Sequence, residues 1–142
     1  MLSTDSGDAV SLSDFKGKTV VLYFYPKDDT SSCTVEACEF RDALPRFRKG
    51  KAVILGVSPD TVSSHFKFRQ KFKLNFPLLA DIDHAVAARY GVWQEKTLYG
   101  RKYMGVARTT FLIDGNGVLR KVFEKVKSAG HADEVAEAIA AL

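Results

Sequence analysis

The stretch from Val20 to Cys38 constrains the fold of this chain more than any other. Residues 19–25 are an apolar run of β-branched and aromatic residues, which predicts a strand covered on both faces of a sheet. The run stops at Pro26, crosses a short polar loop and enters a helical pattern that begins at Cys33. The sequence therefore predicts a strand–loop–helix unit with a thiol at the N-terminus of the helix.

The predicted position of this thiol favours its ionised form. The first N–H groups of a helix have no partner inside it, and the helix dipole adds positive charge, so both stabilise a thiolate. Thr30 offers a hydroxyl three residues earlier, and Arg108 opens a predicted strand that can lie beside the first one. Because the thiolate is the reactive form, we interpret Cys33 as a reactive residue and not as a buried structural cysteine.

Cys38 is the only other cysteine, and its spacing limits how the two thiols can pair. On an ideal helix, residues five apart have Cα atoms about 8 to 9 Å apart and side chains roughly 140° apart around the axis. A disulfide needs Cα atoms within about 7 Å, so an intact helix cannot hold one. Either the two thiols never pair, or the first turns of the helix unwind. If Cys38 has only a structural role, it is a small apolar side chain that fills space between its neighbours.

The order of elements indicates an α/β protein. An apolar stripe continues the first helix to Gly50 and consists of Ala37, Phe40, Leu44 and Phe47. The later elements are predicted as a strand at 52–57, a helix with Ser58 as N-cap and Pro59 as its first residue, a short helix at 83–90, strands at 107–113 and 118–124, and a helix at 130–142. A β-α-β unit followed by β-β-α, with a mixed sheet flanked by helices, is the thioredoxin-like fold.

Two segments show no regular pattern. Residues 1–17 are predicted to be a surface lead-in, and residues 93–105 a loop or an irregular strand. No internal repeat or linker interrupts the chain, so we predict a single domain over residues 1–142.

Charge and hydropathy argue against several classes of function for this chain. The net charge is +4, but the 21 Lys and Arg residues are spread along the chain among 17 acidic residues, which argues against nucleic-acid and membrane-surface binding. No leader pattern precedes residue 20 and no apolar stretch approaches the roughly 18 residues of a membrane span, so we expect a cytoplasmic protein. In that reducing compartment two cysteines are redox-active or buried, and are not a permanent disulfide.

A metal site is a poor alternative for the cysteines. Two thiolates supply half of a zinc shell, and His65, His84 and His131 are scattered without ligand spacing, so each is expected to be a surface or capping residue. The spacing of the cysteines also differs from the two-residue gap of dithiol oxidoreductases. A thiol–disulfide oxidoreductase and a non-enzymatic redox-sensing domain remain as alternatives to an enzyme with one reactive cysteine.

Several separated motifs resemble the peroxiredoxin family. Pro26, Thr30 and Cys33 reproduce the spacing of the proline, threonine and cysteine of its active site. Arg108, within the segment 107–114, is similar to the distant arginine of that family. The resemblance runs from about Ser11 to the C-terminus and supports the thioredoxin-like fold.

Further matches point to one branch, the bacterioferritin comigratory protein group, also called PrxQ. These matches are Cys38 and the segments 23–28, 90–93 and 99–105. Two departures stand out. Ser31–Ser32 replaces the Pro-Gly that usually precedes the reactive cysteine in this branch. Members of the branch also begin some residues earlier with an apolar strand segment, which we expect to be missing from this chain.

The resemblance implies a thiol peroxidase that reduces hydrogen peroxide and organic hydroperoxides through a cysteine sulfenic acid. The Cys33 thiolate would attack the peroxide, with the Thr30 hydroxyl, the Cys33 N–H and the Arg108 guanidinium as hydrogen-bond donors. Pro26 would shape the loop and shield the site from water. Glu36 would orient a donor or Arg108, or would simply be a favourable charge near the helix start.

The resemblance also implies a route for recycling the enzyme. Cys38 would form an intramolecular disulfide with Cys33, which thioredoxin or a similar dithiol protein would reduce. The branch implies a monomer, and the chemistry requires no flavin, haem, metal or other cofactor.

Overall fold

The computed structural model describes residues 2–142. Its strands are β1 (Leu2–Thr4), β2 (Ala9–Val10), β3 (Thr19–Phe24), β4 (Ala52–Ser58), β5 (Leu78–Ala80), β6 (Trp93–Leu98), β7 (Arg101–Val106), β8 (Thr109–Ile113) and β9 (Leu119–Phe123). Its helices are α1 (Ser31–Lys49), α2 (Val62–Phe72), α3 (Ala85–Arg89) and α4 (His131–Ala140), with a 3₁₀ helix at Leu12–Phe15. None of the helices in this range is long and apolar enough to cross a membrane.

Seven strands form one mixed sheet in the order β2-β1-β5-β4-β3-β8-β9. β3 lies inside the sheet next to its middle strand β4, parallel to β4 and antiparallel to β8. The predicted β-α-β and β-β-α units are both present, and the thioredoxin-like α/β prediction is confirmed. Because Phe24 at the end of β3 pairs with Thr109 at the start of β8, the residue before Thr109 lies beside the loop that leads into α1.

The alternating side chains of β3 enter two apolar cores, which explains why this strand is apolar throughout. Val21 and Tyr23 pack with α1, α2 and α4, while Leu22 and Phe24 pack with α3 and the β6–β7 hairpin. The predicted stripe of α1 is confirmed, since all four of its side chains are buried in the first core: Ala37, Phe40, Leu44 and Phe47. The central strand and the reactive helix are thereby fixed to each other.

The N-terminal prediction is wrong. Residues 1–17 are not a lead-in without strands, because β1 and β2 form a hairpin that extends the sheet. β1 pairs antiparallel with β5, with Ser3 opposite Ala80. This pairing joins residues far apart in the chain, so the local sequence pattern does not reveal it.

Two further predictions need correction. Residues 93–105 are a regular two-stranded hairpin, whose turn at Tyr99 and Gly100 has φ values of 51° and 77° and matches the twist of the strands. The helix predicted to begin at Pro59 begins at Val62, because the Thr61 side chain accepts a hydrogen bond from the Ser64 N–H. The hairpin carries mostly exposed side chains, and for this reason it lacks an apolar alternation.

The histidines also differ from expectation. His84 does cap α3, and its ring stacks on Trp93 at a centroid distance of 3.8 Å. His65 and His131 were expected at the surface or at helix caps, but both are buried. Each is bonded to a carboxylate through its Nδ1, at 2.7 Å in both cases.

Candidate active site

The first turn of α1 presents Cys33. The helix begins at Ser31, two residues earlier than predicted, and its first hydrogen bond runs from the Thr34 N–H to the Thr30 carbonyl at 2.8 Å. The N–H of Cys33 therefore precedes the helical ladder and points out of the N-terminus. Together with the helix dipole, this N–H favours negative charge at the position of the sulfur.

Thr30 occupies the N-cap position but does not cap the helix with its side chain. Its hydroxyl donates to the Lys27 carbonyl at 3.1 Å. The proton of this hydroxyl is therefore used within the loop, and the lone pairs of its oxygen remain to accept a hydrogen bond.

Arg108 bridges two side chains of α1. Its Nη2 lies 3.1 Å from Cys33 Sγ, and its Nη1 donates to Glu36 Oε1 at 2.8 Å. Cys33 and Glu36 are 2% and 1% exposed, so the guanidinium acts on both in a largely water-free environment. Because arginine keeps its charge, this contact favours the thiolate form of Cys33.

Burial dominates the ionisation of Glu36. It raises the pKa of Glu36 to about 7, against the opposing effect of the Arg108 guanidinium. Only Oε1 meets the guanidinium, and Oε2 has no hydrogen-bond partner among the described residues. The carboxyl therefore takes up a proton close to neutral pH. Of the two interpretations offered by the sequence, the contact favours orientation of Arg108.

Cys38 lies two helical residues beyond Glu36 and is half-buried. Both cysteines are free, and α1 is continuous from Ser31 to Lys49. This agrees with the spacing argument, by which an intact helix keeps the two thiols apart. The Cys33–Cys38 disulfide stays a prediction.

Pro26 follows the buried Tyr25 and is half-buried at the start of the loop that carries Thr30. Of the predicted residues, the structure brings Cys33, Glu36 and Arg108 into direct contact. Pro26 and Thr30 belong to the β3–α1 loop, the two cysteines and Glu36 belong to α1, and Arg108 comes from the β7–β8 connection.

Sequence reasoning did not identify Lys96 on β6. Burial lowers the pKa of Lys96, and Arg108 lowers it further while Cys33 opposes the change. Lys96 thus lies close enough to the site for its charge to act there. The sequence does not reveal it, because residues 93–105 show no regular pattern and are predicted only as a loop or an irregular strand.

The structure also brings together Asp28, Asp60 and His65, whose possible ligand atoms lie within 4.8 Å of one another. His65 Nδ1 lies 2.7 Å from Asp28 Oδ2, and each carboxylate also accepts a hydrogen bond from a neighbouring serine hydroxyl. Their hydrogen bonds account for the cluster without a metal ion.

Comparison with known proteins shows which family the chain resembles. The sequence profile of the AhpC/TSA family matches residues 1–122. The chain is 51% identical over 141 residues to peroxiredoxin Bcp of Bacillus subtilis, which covers 99% of this chain and 88% of the relative. It is 42% identical over 134 residues to peroxiredoxin Bcp of Escherichia coli, which covers 94% of this chain and 86% of the relative.

Solved structures agree with this result. Peroxiredoxin Q of Xanthomonas campestris has a TM-score of 0.94 and 44% identity, and the match covers 99% of this chain and 89% of that one. The bacterioferritin comigratory protein of the same organism, a structure described for its alkyl peroxide reduction activity, gives a TM-score of 0.94 at 43% identity with the same coverage.

Glu36→Gln tests the buried carboxyl through the pH dependence of stability. The folded protein holds the Glu36 proton up to about pH 7, whereas the unfolded chain releases it near 4.5, so rising pH through this window destabilises the wild type. The shift corresponds to about 3 kcal/mol, which the variant does not lose. Denaturant unfolding should therefore show the stability of Glu36→Gln improving relative to wild type as pH rises from about 4.5 to above 7.

The matched control is Glu95→Gln, which changes an exposed carboxylate 3.7 Å from Lys102. Its stability difference from wild type should stay flat over the same range. A flat difference for Glu36→Gln would show that Glu36 is ionised throughout.

Proposed function

This chain belongs to the AhpC/TSA family, whose named relatives are peroxiredoxins, and we propose that it performs its thiol-dependent peroxidase reaction with Cys33 as the nucleophile. The observation that supports this most directly is the guanidinium of Arg108, 3.1 Å from Cys33 Sγ at the start of a helix. Both the cation and the helix terminus stabilise the anion that attacks.

In the first step, the Cys33 thiolate attacks the terminal oxygen of a hydroperoxide. An S–O bond forms, the O–O bond breaks, the sulfur becomes a sulfenic acid, and hydroxide or alkoxide leaves and is protonated by solvent. Only 2% of Cys33 is exposed, so the peroxide group enters end-on while the rest of an organic hydroperoxide stays outside. This accommodates both hydrogen peroxide and organic hydroperoxides.

Negative charge develops on the leaving oxygen during this step. The Cys33 N–H and the Arg108 guanidinium are the donors that stabilise it. Thr30 takes a different part from the donor role expected from the sequence. Because its proton goes to the Lys27 carbonyl, its oxygen accepts the O–H of the bound hydroperoxide and aligns it. Pro26 shapes the loop and limits the access of water to the sulfenic acid.

Glu36 acts through Arg108. Its bond to Nη1 fixes the plane of the guanidinium, so that Nη2 remains directed at the sulfur. Glu36 is therefore a positioning residue in this scheme and does not itself touch the peroxide.

The second step joins the sulfenic acid to the Cys38 thiol. The product is a Cys33–Cys38 disulfide and water. Since α1 holds the thiols apart, its first two turns must unwind. Thioredoxin or a similar dithiol protein then reduces the disulfide and becomes oxidised itself. All of these residues come from one chain, so we propose a monomer as the working unit.

The contacts of α1 set the limit of this unwinding. Beyond Cys38 the helix is tied down by four polar contacts in addition to its apolar packing. They are Glu39 Oε1 to the Gly130 N–H at 3.0 Å, Arg41 Nη1 to the Phe72 carbonyl at 2.6 Å, the Asn75 side-chain amide to the Arg41 carbonyl at 3.1 Å, and Arg46 Nη1 to Asp133 Oδ1 at 2.7 Å. The polar contacts of residues 31–38 to other elements run to Arg108, and unwinding should therefore end near Glu39.

Variants of the two cysteines test which thiol attacks the peroxide and which one forms the disulfide afterwards. Cys33→Ser should abolish peroxide reduction, because it removes the nucleophile. Cys38→Ser should consume one equivalent of peroxide and then stop or turn over slowly, because its sulfenic acid has no internal thiol partner. Peroxide consumption with thioredoxin and its reductase checks both variants. Wild-type turnover of Cys38→Ser would remove Cys38 from the reaction.

Arg108→Ala tests the charge at the site. It should lower the fraction of Cys33 thiolate at neutral pH and slow the peroxide reaction by about 100-fold, since it removes a cation and a transition-state donor. Thiolate ultraviolet absorbance and stopped-flow rates measure the two effects. Arg46→Ala, which removes an exposed arginine from α1, is the control and should change neither. An unchanged thiolate fraction in Arg108→Ala would contradict the assigned role.

A further inference from the structure

A buried polar cluster lies beside the reactive helix and is not used by the chemistry described above. Its centre is the carboxylate of Asp28, which is 7% exposed. The Tyr25 hydroxyl donates to Oδ1 at 2.5 Å, and the Ser64 hydroxyl donates to Oδ2 at 2.8 Å. His65 Nδ1 lies 2.7 Å from the same Oδ2, so a proton lies between them.

His65 connects this carboxylate to the sheet. The ring is fully buried, and its Nε2 faces the Leu79 carbonyl at 2.9 Å. A carbonyl oxygen only accepts, so Nε2 carries a proton and donates it. The side chain of one residue on α2 thus joins the β3–α1 loop to β5.

A second connection uses the backbone of Asp28. Its N–H donates to Asp60 Oδ2 at 2.8 Å, and the Ser58 hydroxyl donates to the same oxygen at 2.6 Å. Both the main chain and the side chain of Asp28 are therefore held by residues that follow β4. We call Tyr25, Asp28, Asp60, Ser64 and His65 the loop clamp.

The loop clamp is connected to Thr30 through the backbone of the β3–α1 loop. The Thr30 hydroxyl donates to the carbonyl of Lys27, the residue that precedes Asp28. Between them, Asp29 has a φ of 57°, which is a left-handed conformation that a residue other than glycine adopts at a cost. A loop with this conformation keeps its shape only if its neighbours hold it.

The polar composition of the loop clamp also indicates that its role is to hold the loop in one conformation. Burying charged and polar groups costs free energy, and apolar residues of similar size are often as stable or more so. The loop clamp instead fixes the direction of each of its hydrogen bonds. The Lys27 carbonyl, which accepts from the Thr30 hydroxyl and sets its rotamer, belongs to the same peptide unit as the Asp28 N–H that the clamp holds.

We propose that Asp28 and His65 are positioning residues for the peroxidase reaction, which hold the loop so that the Thr30 oxygen meets the hydroperoxide. The inference rests on the proposed role of Thr30 in that reaction. Neither side chain touches the substrate, and neither stabilises the Cys33 thiolate, which depends on Arg108 and the helix terminus. The clamp therefore acts on alignment and leaves the charge of the nucleophile unchanged.

The experiment is a double-mutant cycle with Asp28→Asn and Thr30→Val. The quantity measured for each variant is the rate at which hydrogen peroxide oxidises Cys33. Asp28→Asn should slow this reaction by about tenfold, because misplacement of an aligning group lowers the rate. Its thiolate fraction at neutral pH should equal that of the wild type. Adding Thr30→Val to Asp28→Asn should cost less than about twofold more, since coupled residues are not additive.

The matched control is Asp5→Asn. Asp5 is also a buried carboxylate that joins α2 to the sheet, through Arg69 at 2.9 Å and the Leu78 N–H at 3.1 Å. Among the described residues none of its hydrogen bonds reaches the β3–α1 loop, so the rate of Asp5→Asn should stay within about twofold of wild type. If Asp28→Asn does not fold, Ser64→Ala removes one donor to the same carboxylate and should give a smaller, equally non-additive loss.

Fully additive losses would overturn the inference, and so would an equal effect in Asp5→Asn or a Thr30→Val variant with the wild-type rate. A Thr30→Val variant with the wild-type rate would also remove the aligning role assigned to Thr30 above. The peroxidase function itself fails only if Cys33→Ser retains peroxide turnover.

Discussion

The guanidinium of Arg108 is the contact on which the rest of the site depends. It meets Cys33 and Glu36, two side chains of the same helix, and all three groups are largely shielded from water. Because the pKa of Glu36 lies at about 7, this carboxyl is only partly ionised near neutral pH, whereas the guanidinium keeps its charge and lies 3.1 Å from the sulfur. In the proposed reaction, oxidation to sulfenic acid would remove the charge of the sulfur and weaken this contact. The step that uses the thiolate would then also loosen the first turns of α1.

The remainder of the fold limits how far such unwinding can extend along α1. β3 is buried on both faces and pairs with β4 and β8 along its whole length, so the site has a rigid base. The later turns of α1 are tied to α4 and to the end of α2. With the loop held on one side and the later turns of the helix anchored on the other, residues 31–38 are the part of α1 that we propose to move between the two steps of the reaction.

The sequence predicts those parts whose pattern is local. β3 and the apolar stripe of α1 follow from periodicity, and the spacing of Pro26, Thr30 and Cys33 indicates a candidate site in the loop between them. The pairing of β1 with β5 and the contact of Asp28 with His65 join residues far apart in the chain, so no local pattern reports them. The direction of the Thr30 hydroxyl depends on the loop conformation around Asp29, which only the structure supplies.

Amide hydrogen exchange of α1, compared between the reduced and the peroxide-oxidised protein, tests this account most directly. The account predicts that residues 33–38 lose protection when the disulfide forms, while residues beyond Glu39 keep theirs. Retained protection across 33–38 in a protein with a formed Cys33–Cys38 disulfide would contradict it. Loss of protection along the whole of α1 would show that the helix is not anchored as described.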